Sequence, residues 1–517
     1  MRLAWIIVIC VILFALASLA AVYSYGRFVE RARGAPSAAL PVAEADTLLD
    51  RIIGPKLQEH PGQSGLMLVT SNLQAFAIRA IVARSAERSL DLQYYYWKDD
   101  LTGGLLAREL IVAADRGVRV RLLLDDINTK GDDSTYLALD GHPNIEIRLF
   151  NPSRSRANVL RRGIEMALRA FSVTRRMHNK AWIADGRTAI VGGRNIGDAY
   201  FDADETANFR DMDLLLLGPA VQQAETVFDD FWNSGVVLPI RSLSRAREGD
   251  LPRTRAQLEA LLSSGGAGPY LQRLQEEKST EAVLSGGQVL HWTADARIVA
   301  DPAAKAHAAA RENWLAAVIF PVINAAATEL HIVSPYFIPG DQGVAALRNL
   351  IARGVAVSVL TNSLAATDVA AVHGAYAYYR EPLLAGGVRL YELRPRMVPS
   401  DISLFGSSGA SLHTKAFTVD GKSGFVGSFN FDPRSISLNT EMGVLFDDPA
   451  LTKEVNAVFA REISPALSYR LSLDNGEIAW QDGAAASAKM LDAEPDASIW
   501  RRTAATVIGL LPIESQL

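Results

Sequence analysis

The most apolar stretch of the chain lies at its N-terminus. No charged residue occurs from Leu3 to Gly26, and most of this segment is hydrophobic. At a helical rise of about 1.5 Å per residue it is long enough to cross a hydrocarbon core of about 30 Å. The pattern predicts a transmembrane anchor, although Arg2 and a small residue at Ala20 also fit a cleaved signal peptide. Tyr23 and Tyr25 favour the uncleaved anchor, whereas the balanced flanking arginines leave its orientation open.

Beyond this segment, strand-like apolar runs alternate with helical stretches, and the whole pattern occurs twice. Ser89–Trp97 and Glu329–Phe337 are predicted buried strands, and they align when Leu92 is set on Leu330, 238 residues further on. Two more strand pairs follow in the same order, Arg116–Val120 with Arg353–Val357 and Ile145–Pro152 with Val388–Pro395. This alternation predicts an α/β fold made of two similar halves.

A fourth pair of matching blocks carries titratable residues. Both follow the pattern His-x-Lys-x4-Asp-x6-Gly-x2-Asn, and equivalent members lie 235 residues apart: His178, Lys180, Asp185 and Asn195, then His413, Lys415, Asp420 and Asn430. An isolated His-x-Lys carries no information, but its duplication within matching repeats is a specific signal. Residues two apart share one face of a strand, so each histidine is expected to project with its lysine.

Two pairs of acids each allow two interpretations. Asp185 and Asp420 precede glycines between apolar runs, which is typical of tight turns, so a structural role competes with direct catalysis. Another carboxylate recurs as Asp211 and Glu441, 230 residues apart. It could accept the second ring N–H of a histidine and orient the imidazole, or it could lie at a solvated strand edge.

The combined residue set predicts phosphodiester chemistry. Two imidazoles, two lysines and two asparagines make a cationic site rich in hydrogen-bond donors. A neutral histidine can attack phosphorus while a protonated histidine donates to the leaving oxygen. A metal site is the competing interpretation, but a lysine rather than a second metal ligand stands two residues from each histidine. We therefore predict a reaction that uses neither a metal nor another cofactor.

Composition narrows the classes of function. The chain has 52 Lys and Arg against 57 Asp and Glu, a formal net charge of −5, which argues against a protein built to coat nucleic acid. The only cysteine, Cys10, lies in the apolar N-terminal segment. The sequence therefore provides neither an intrachain disulfide nor a cysteine metal site.

The duplicated motif with its Gly-x2-Asn extension resembles the phospholipase D superfamily, whose members pair two such halves around one shared site and react through a phosphohistidine. Other segments are similar to bacterial cardiolipin synthases, above all the C type: Asn195–Phe201, Phe209–Asp211, Ser334–Pro339 and Thr361–Val369. The resemblance covers roughly Leu66 to Phe446. It implies two homologous halves, each a mainly mixed β-sheet flanked by helices, with the active site at their pseudo-twofold interface.

The resemblance also implies roles by position. His178 would be the nucleophile and His413 the general acid, although the sequence leaves the reverse assignment open. The other expected roles are catalysis for Lys180, Asp185, Lys415 and Asp420, phosphate binding for Asn195, Asn430 and Ser428, and histidine orientation for Asp211 and Glu441. Gly193 stands where the motif usually has the serine found at Ser428, which removes one hydroxyl donor from the first half.

A basic amphipathic helix is predicted immediately before His178. Between Arg154 and Arg176 there are seven arginines and one acid, and apolar residues recur at helical spacing: Leu160, Ile164, Ala167, Leu168 and Phe171. We expect a membrane-surface element that draws anionic lipid heads toward the site, against the alternative of a packed helix whose arginines pair with acids. The apolar run Val507–Leu511 is a second candidate membrane contact.

These features give expected boundaries and a ranked function. The segments are an anchor or signal (1–26), a linker with a helix (27–62), the first half (63–240), a helical insert (241–315), the second half (316–448) and a C-terminal tail (449–517). The leading hypothesis is phosphatidyl transfer between phospholipids, with phosphatidylglycerol as acceptor, phosphatidylethanolamine as another substrate and cardiolipin as product. Phospholipid hydrolysis, nucleic-acid phosphodiester cleavage and an inactive membrane scaffold are the alternatives. We expect a bacterial inner-membrane protein with one anchor and no nucleic-acid partner, while an accessory protein cannot be inferred from the sequence.

Overall fold

The computed structural model describes residues 2–42, 46–129, 133–156, 158–276, 289–307, 311–395, 411–484, 489–511 and 514–517. The first helix, α1 (Arg2–Ala32), covers the apolar N-terminal segment. Within Ala4–Ala32, an 18-residue window reaches a mean hydropathy of 2.9, and the helix is long and apolar enough to cross a membrane. None of its most hydrophobic stretch is buried inside the protein, so α1 is a candidate anchor rather than a core helix.

The first half is a mixed sheet with helices on its faces. Its strands run in the order β10-β1-β8-β6-β5-β2-β3-β4-β9, and β2, β3 and β4 are mutually parallel. The strands are β1 (Ser64–Val69), β2 (Ser89–Tyr94), β3 (Arg119–Asp125), β4 (Ile145–Phe150), β5 (Ala181–Ala184), β6 (Thr188–Gly192), β8 (Asp213–Leu217), β9 (Val237–Pro239) and β10 (His291–Thr293); β7 (Phe209–Arg210) stands apart. The helices are α2 (Leu48–Glu59), α3 (Asn72–Ser85), α4 (Leu101–Asp115), α5 (Asp133–Asp140), α6 (Val159–Leu168), α7 (Ala170–Val173), α8 (Pro219–Trp232), α9 (Asp250–Leu261) and α10 (Ala267–Glu276).

The second half repeats this arrangement and extends it. Its sheet order is β11-β18-β17-β16-β12-β13-β14-β19-β20-β21. The strands are β11 (Ala296–Ala300), β12 (Glu329–Val333), β13 (Ala356–Asn362), β14 (Arg389–Leu393), β16 (Ala416–Val419), β17 (Ser423–Gly427), β18 (Met442–Asp447), β19 (Ser468–Asp474), β20 (Glu477–Asp482) and β21 (Lys489–Leu491); β15 (Ser411–Leu412) pairs with β7. The helices are α11 (Leu315–Asn324), α12 (Gly340–Ala352), α13 (Ala370–Ala377), α14 (Arg380–Ala385), α15 (Pro433–Ser437), α16 (Pro449–Glu462) and α17 (Ile499–Gly509).

Strand register corrects the predicted alignment of the two halves. Leu92 of β2 stands opposite Trp182, and Ile332 of β12 stands opposite Phe417. Trp182 and Phe417 hold the same place in the two motifs, so Leu92 corresponds to Ile332 and not to Leu330. The predicted offset was wrong by two residues. Side chains along a strand alternate between the two faces of the sheet. A shift of two residues therefore leaves each side chain on the same face, and the apolar pattern of the sequence cannot reveal it.

An apolar core joins the two sheets. Met177 and Val191 from the first half pack in one cluster with Val426, Met442 and Val444 from the second. Burial of this apolar surface packs β6 against β17 and β18, and the two His-x-Lys segments, which lead into the adjoining strands β5 and β16, lie at the same interface.

The connecting and C-terminal segments also contribute to the sheets. Strand β10 pairs with β1 at the edge of the first sheet, and β11 pairs with β18 at the edge of the second. The segment 241–315 is therefore helical only in part, since it also closes both sheets. Strands β19, β20 and β21 likewise extend the second sheet from the segment 449–517, which was expected to be a tail.

Candidate active site

The backbone N–H of each histidine donates a hydrogen bond to a carbonyl group of the opposite half. The His413 N–H donates to the Arg210 carbonyl at 2.8 Å, and the His178 N–H donates to the Thr440 carbonyl at 2.8 Å. Arg210 and Thr440 immediately precede Asp211 and Glu441. The parallel pairing of β7 with β15, and of Met177 with Thr440, therefore presents each acid to the histidine across the interface.

The histidine side chains also contact the opposite half. His178 Nδ1 lies 2.7 Å from Glu441 Oε2, and His413 Nδ1 lies 2.6 Å from Asp211 Oδ2. A carboxylate accepts at Nδ1, which fixes the tautomer and leaves each Nε2 available for chemistry. The two halves thus form one site, because each histidine depends on a carboxylate from the opposite half.

Both lysines are buried with the histidines. Lys180 Nζ donates to the His178 carbonyl at 2.6 Å, and Lys415 Nζ donates to the His413 carbonyl. Burial lowers the pKa of His178 to about 4 and, together with the nearby lysines, holds the pKa of His413 well below its usual value. Burial also lowers the pKa of Lys415 to about 8 and that of Lys180 well below its usual range. Without a ligand, both imidazoles are neutral at pH 7.

The two acids are held differently. Glu441 Oε2 accepts from the Ser428 hydroxyl and Oε1 accepts from the Ser435 hydroxyl, at 2.5 and 2.9 Å. Burial opposes ionisation of Glu441, but His178, Lys180 and these bonds bring its pKa below the usual value. The Ser428 hydroxyl, expected to bind phosphate, is instead engaged with Glu441, because its side chain points from the glycine loop toward that acid.

The first half has Gly193 where the second half has Ser428, and the packing around Gly193 explains why no serine stands there. Asp211 occupies the space beside Gly193, where an added Cβ would lie 2.2 Å from Asp211 Oδ1. Asp211 accepts from the Met212 N–H at 2.8 Å, and burial raises its pKa. Each acid therefore has a matched neighbour: the shorter aspartate packs against a glycine, and the longer glutamate accepts from a serine.

The two asparagines lie at the same interface with unmet hydrogen-bonding capacity. Asn195 Nδ2 donates to the Tyr200 hydroxyl at 3.0 Å. Within the described residues, the Oδ1 atoms of Asn195 and Asn430 are buried and have no partner. Buried polar atoms without partners are rare, so these two carbonyl oxygens mark a place where a hydrogen-bond donor of a ligand would complete the site.

Asp185 and Asp420 lie away from the histidines. Each stands at the end of its strand, β5 or β16, opposite to the end that carries the lysine. Asp185 accepts from three consecutive backbone N–H groups, 87 to 89, and Asp420 from 327 to 329. Both have positive φ, which a tight turn requires. These contacts favour the structural alternative, in which each aspartate ties its hairpin to the neighbouring strand, over the expected catalytic role.

Sequence reasoning missed several residues around the histidines. The Tyr95 ring lies 5.0 Å from that of His178, and the Tyr200 and Phe209 rings lie 5.2 and 5.1 Å from that of His413. Tyr95 was interpreted as part of a core strand. Its position just beyond the end of β2, on the same edge of the sheet as the motif, is the signal that could have found it.

The connecting segment also supports the site. The Glu441 N–H donates to Asp301 Oδ2 at 2.9 Å, and the Asp301 N–H donates back to the Glu441 carbonyl at 2.8 Å. Lys305 Nζ, fully buried, donates to the same Asp301 oxygen at 2.9 Å. Burial raises the pKa of Asp301 to about 6. No sequence motif indicates a role for Asp301 and Lys305, because that role depends only on where the fold places them.

The structure changes the interpretation of the basic helix. Four arginines of the segment pair inward with carboxylates: Arg156 and Arg162 with Asp126, Arg169 with Glu165, and Arg176 with Asp125. The expected anion-attracting surface is therefore largely neutralised, as the packed-helix alternative proposed. The apolar residues of α6 point outward instead: Val159, Leu160 and Ile164 are 70%, 74% and 52% exposed. The side chain of Phe171 lies outside the described residues.

A metal site was the competing interpretation for the histidines. In the part of the chain that the structure describes, no group of three or more His, Cys, Asp or Glu side chains is arranged to hold a metal ion. Metal independence stays a prediction.

A duplicated His-x-Lys site between two mixed α/β halves defines a phospholipase D-like protein. The family described as "Cardiolipin synthase, PLD-like domain" matches residues 81–232 and 319–463. Cardiolipin synthase C of Escherichia coli (strain K12) is 41% identical over 466 residues, which span 89% of this chain and 98% of that protein. The chain belongs to the cardiolipin synthase family of phospholipase D-like proteins.

Two further proteins extend the comparison. An uncharacterized protein of Helicobacter pylori (strain J99 / ATCC 700824) is 32% identical over 446 residues, covering 84% of this chain and 86% of that protein. The crystal structure of phosphatidylserine synthase from Haemophilus influenzae Rd KW20 covers 90% of this chain and 100% of its own, with a TM-score of 0.56 and 14% identity. At that identity the likeness is one of fold.

Proposed function

We propose that this chain transfers a phosphatidyl group from one phospholipid to the hydroxyl group of another, forming cardiolipin with phosphatidylglycerol as acceptor. The observation that carries the proposal is the crossed pair of histidine–carboxylate contacts, His178 with Glu441 and His413 with Asp211. Two oriented imidazoles in one buried site supply the nucleophile and the acid that a two-step displacement at phosphorus needs. The identity with Escherichia coli cardiolipin synthase C supports the choice of lipid.

The first step forms a phosphohistidine. Nε2 of neutral His178 attacks phosphorus, the bond from phosphorus to the head-group oxygen breaks, and that oxygen takes the Nε2 proton of protonated His413. The bound phosphodiester carries a negative charge, which raises the pKa of the nearby imidazole and favours this proton. The ammonium groups of Lys180 and Lys415 and the amide N–H groups of Asn195 and Asn430 would donate to the non-bridging oxygens and stabilise the charge that develops on them.

The second step returns the site to its starting state. Neutral His413 accepts the proton of the acceptor hydroxyl, the new bond from oxygen to phosphorus forms, and the bond from phosphorus to His178 Nε2 breaks. Water in place of the lipid hydroxyl would give phosphatidic acid by the same chemistry. Transfer and hydrolysis therefore differ only in which hydroxyl reaches the phosphohistidine.

One assay separates these outcomes. The purified full chain is supplied with labelled phosphatidylglycerol and phosphatidylethanolamine, and cardiolipin, phosphatidic acid and free head groups are followed together. We expect cardiolipin to form in step with release of a head group. Phosphatidic acid as the only lipid product would replace the transferase with a hydrolase, and no product from either lipid would refute both.

A phosphatidyl donor with a nitrophenol leaving group tests which histidine is the nucleophile. Nitrophenolate leaves without a proton, so loss of the general acid should leave the first step intact. We expect His413→Ala to retain a nitrophenolate burst and to accumulate phosphatidyl-enzyme, and His178→Ala to lose both. The opposite pattern would reverse the two roles.

We further propose that the protein resides in the inner membrane of a bacterial cell through α1, with α6 at the lipid surface. The end of α1 packs on the segment around α6: the Tyr25 hydroxyl donates to the Pro152 carbonyl at 2.8 Å, and the Arg169 guanidinium lies 3.2 Å from the Tyr25 ring centroid. The expected boundaries of the two halves, 63–240 and 316–448, stay a proposal, and the neighbouring segments add the strands β10, β11 and β19 to β21 to their sheets. Limited proteolysis in vesicles should spare α6 but cleave the exposed turn at Asp474–Glu477, and preferential cleavage in α6 would contradict this placement.

A further inference from the structure

The C-terminal helix α17 has its charged residues on the inside and its apolar residues on the outside. The Arg501 side chain donates to the Thr367 carbonyl and Arg502 to the Glu494 carbonyl. The outward face carries Ile499, Trp500, Val507, Leu510 and, just beyond the helix, Leu511, which are 74%, 76%, 55%, 81% and 50% exposed. This is the reverse of an ordinary surface helix, which buries its apolar stripe.

This orientation is fixed by close packing. Helix α17 lies against α13 at paired glycines: a Cβ added to Gly374 would lie 2.3 Å from the Ala505 carbonyl oxygen, and one added to Gly509 would lie 2.8 Å from that of Gly374. Ala505 is buried at this contact. The helix cannot rotate its apolar face inward without separating these backbones.

Helix α17 borders the His413 side of the active site. Thr367, which accepts from Arg501, is followed by Asp368, and Asp368 accepts from the Tyr336 hydroxyl at 2.9 Å. The negative charge of Asp368 opposes the lowering of the Lys415 pKa, which places the two groups near each other. Helix α6 borders the His178 side in a similar way, because Arg162 contacts Asp126 and the adjacent Asp125 accepts from the Met177 N–H at 2.8 Å.

The chain after α17 returns to the α6–α7 region. The Arg434 N–H donates to the Leu517 carbonyl at 2.9 Å, and the Arg434 side chain donates to the Thr174 carbonyl just after α7 at 2.9 Å. The residues that follow α17 are thus held by Arg434 against the region on which α1, the candidate anchor, packs. In a chain that carries a candidate membrane anchor, an exposed apolar surface of this kind is expected to face lipid.

We propose that the outward face of α17 inserts into the surface of the phospholipid bilayer. Helices α6 and α17, which border the His178 and His413 sides of the active site, would then both lie against the membrane. This inference rests on the proposed function, since lipid substrates would then pass from the bilayer to the buried site without crossing water. A protein partner or a second copy of the chain is the alternative occupant of this face.

Spin labels measure the depth of α17 without relying on catalysis. In the full chain carrying Cys10→Ser, single labels are placed at Trp500→Cys and Leu510→Cys, with Glu477→Cys on an acidic exposed turn as the control, and each is reconstituted in phosphatidylethanolamine and phosphatidylglycerol vesicles. We expect labels 500 and 510 to be relaxed more by oxygen than by a water-soluble nickel complex, and label 477 to show the opposite. Labels 500 and 510 that behave like 477, or that are shielded from both reagents by protein, would overturn the proposal.

Activity provides a second, distinguishable result. The variant Trp500→Ser/Leu510→Ser should lose about ten-fold or more of its transfer rate on vesicles, because its apolar contact with lipid is gone. Its rate on short-chain lipids below their critical micelle concentration should match that of the parent. An equal loss on both substrates would indicate a structural role and overturn docking. Lipid-exposed labels in a chain with no transfer activity would instead refute the proposed function alone.

Discussion

A serine at position 193 should disable the first half of the site by displacing its acid. In Gly193→Ser the new Cβ would stand 2.2 Å from Asp211 Oδ1, whereas ordinary contacts begin near 3.4 Å. Asp211 is buried and cannot retreat into solvent. A shift of about 1 Å is enough to stretch its 2.6 Å contact with His413 Nδ1 beyond hydrogen-bond range.

The loss can be given a magnitude. A hydrogen bond to a charged group contributes about 1.5–3 kcal/mol, which corresponds to a fall in turnover of about ten- to two hundred-fold if the contact is made in the transition state. Initial rates of product formation from labelled phospholipid measure this fall. Circular dichroism and the unfolding midpoint show whether the variant has kept its fold.

The repeat supplies matched controls. Ser428→Gly removes a donor to Glu441 without a clash and leaves the Ser435 hydroxyl in place, so we expect a loss of only several-fold. The double variant Gly193→Ser/Asp211→Glu copies the second-half pair and should recover part of the activity. A folded Gly193→Ser protein as active as the parent would refute the steric argument.

Four other predictions follow from the same geometry. His178→Ala and His413→Ala should each nearly abolish turnover, because the two imidazoles act as one unit, and substantial activity in either would contradict a shared site. Ser435→Ala removes a donor to Glu441 Oε1 and should slow turnover about five-fold and raise the pKa of that carboxyl, and an unchanged pH–rate profile would count against this contact. Between pH 6.5 and 4 the free energy of unfolding of the parent should fall by up to about 3 kcal/mol more than that of His178→Gln, because unfolded His178 gains a proton at its ordinary pKa while the folded side chain, with a pKa of about 4, stays neutral. His413, whose pKa is also held below its ordinary value, adds a further fall to both proteins. Urea titrations that give the two proteins the same pH dependence would exclude this. Activity should persist in a chelator, and a loss that a divalent ion restores would refute metal independence.

The sequence was sufficient for the features that repeat. The spacing of the two motifs and the recurrence of an acid as Asp211 and Glu441 indicated one composite site, because the same pattern twice in one chain is hard to produce without a common structural reason. The alternation of strand-like and helical stretches predicted two similar α/β halves, and the resemblance to the phospholipase D superfamily implied that their sheets are mixed. The apolar pattern could not set the alignment of β2 with β12, where a shift of two residues leaves every face unchanged.

Features that depend on a single three-dimensional contact could not be predicted. Asp301 and Lys305 support Glu441 only because β11 lies beside β18, and nothing in their spacing shows this. The inward pairing of Arg162 with Asp126 was equally hidden, because a basic stripe looks alike whether it faces lipid or the protein interior. The phosphate-binding role expected for Ser428 came from the resemblance, and nothing in the sequence indicates that its hydroxyl donates to Glu441.

The unequal acids of the two halves have a consequence for how such a site can diverge. A dimer of two identical subunits would show every substitution twice, once in each copy, so a glycine beside one acid would also remove the serine beside the other. Joining the halves in one chain frees them from that symmetry: Asp211 with Gly193 and Glu441 with Ser428 are two solutions to one packing problem. The strands β10 and β11 come from one connecting stretch and pair with different sheets, so they keep the two halves joined even when the halves differ in sequence. A covalently joined pair can therefore give its two histidines different electrostatic surroundings, which identical subunits could not.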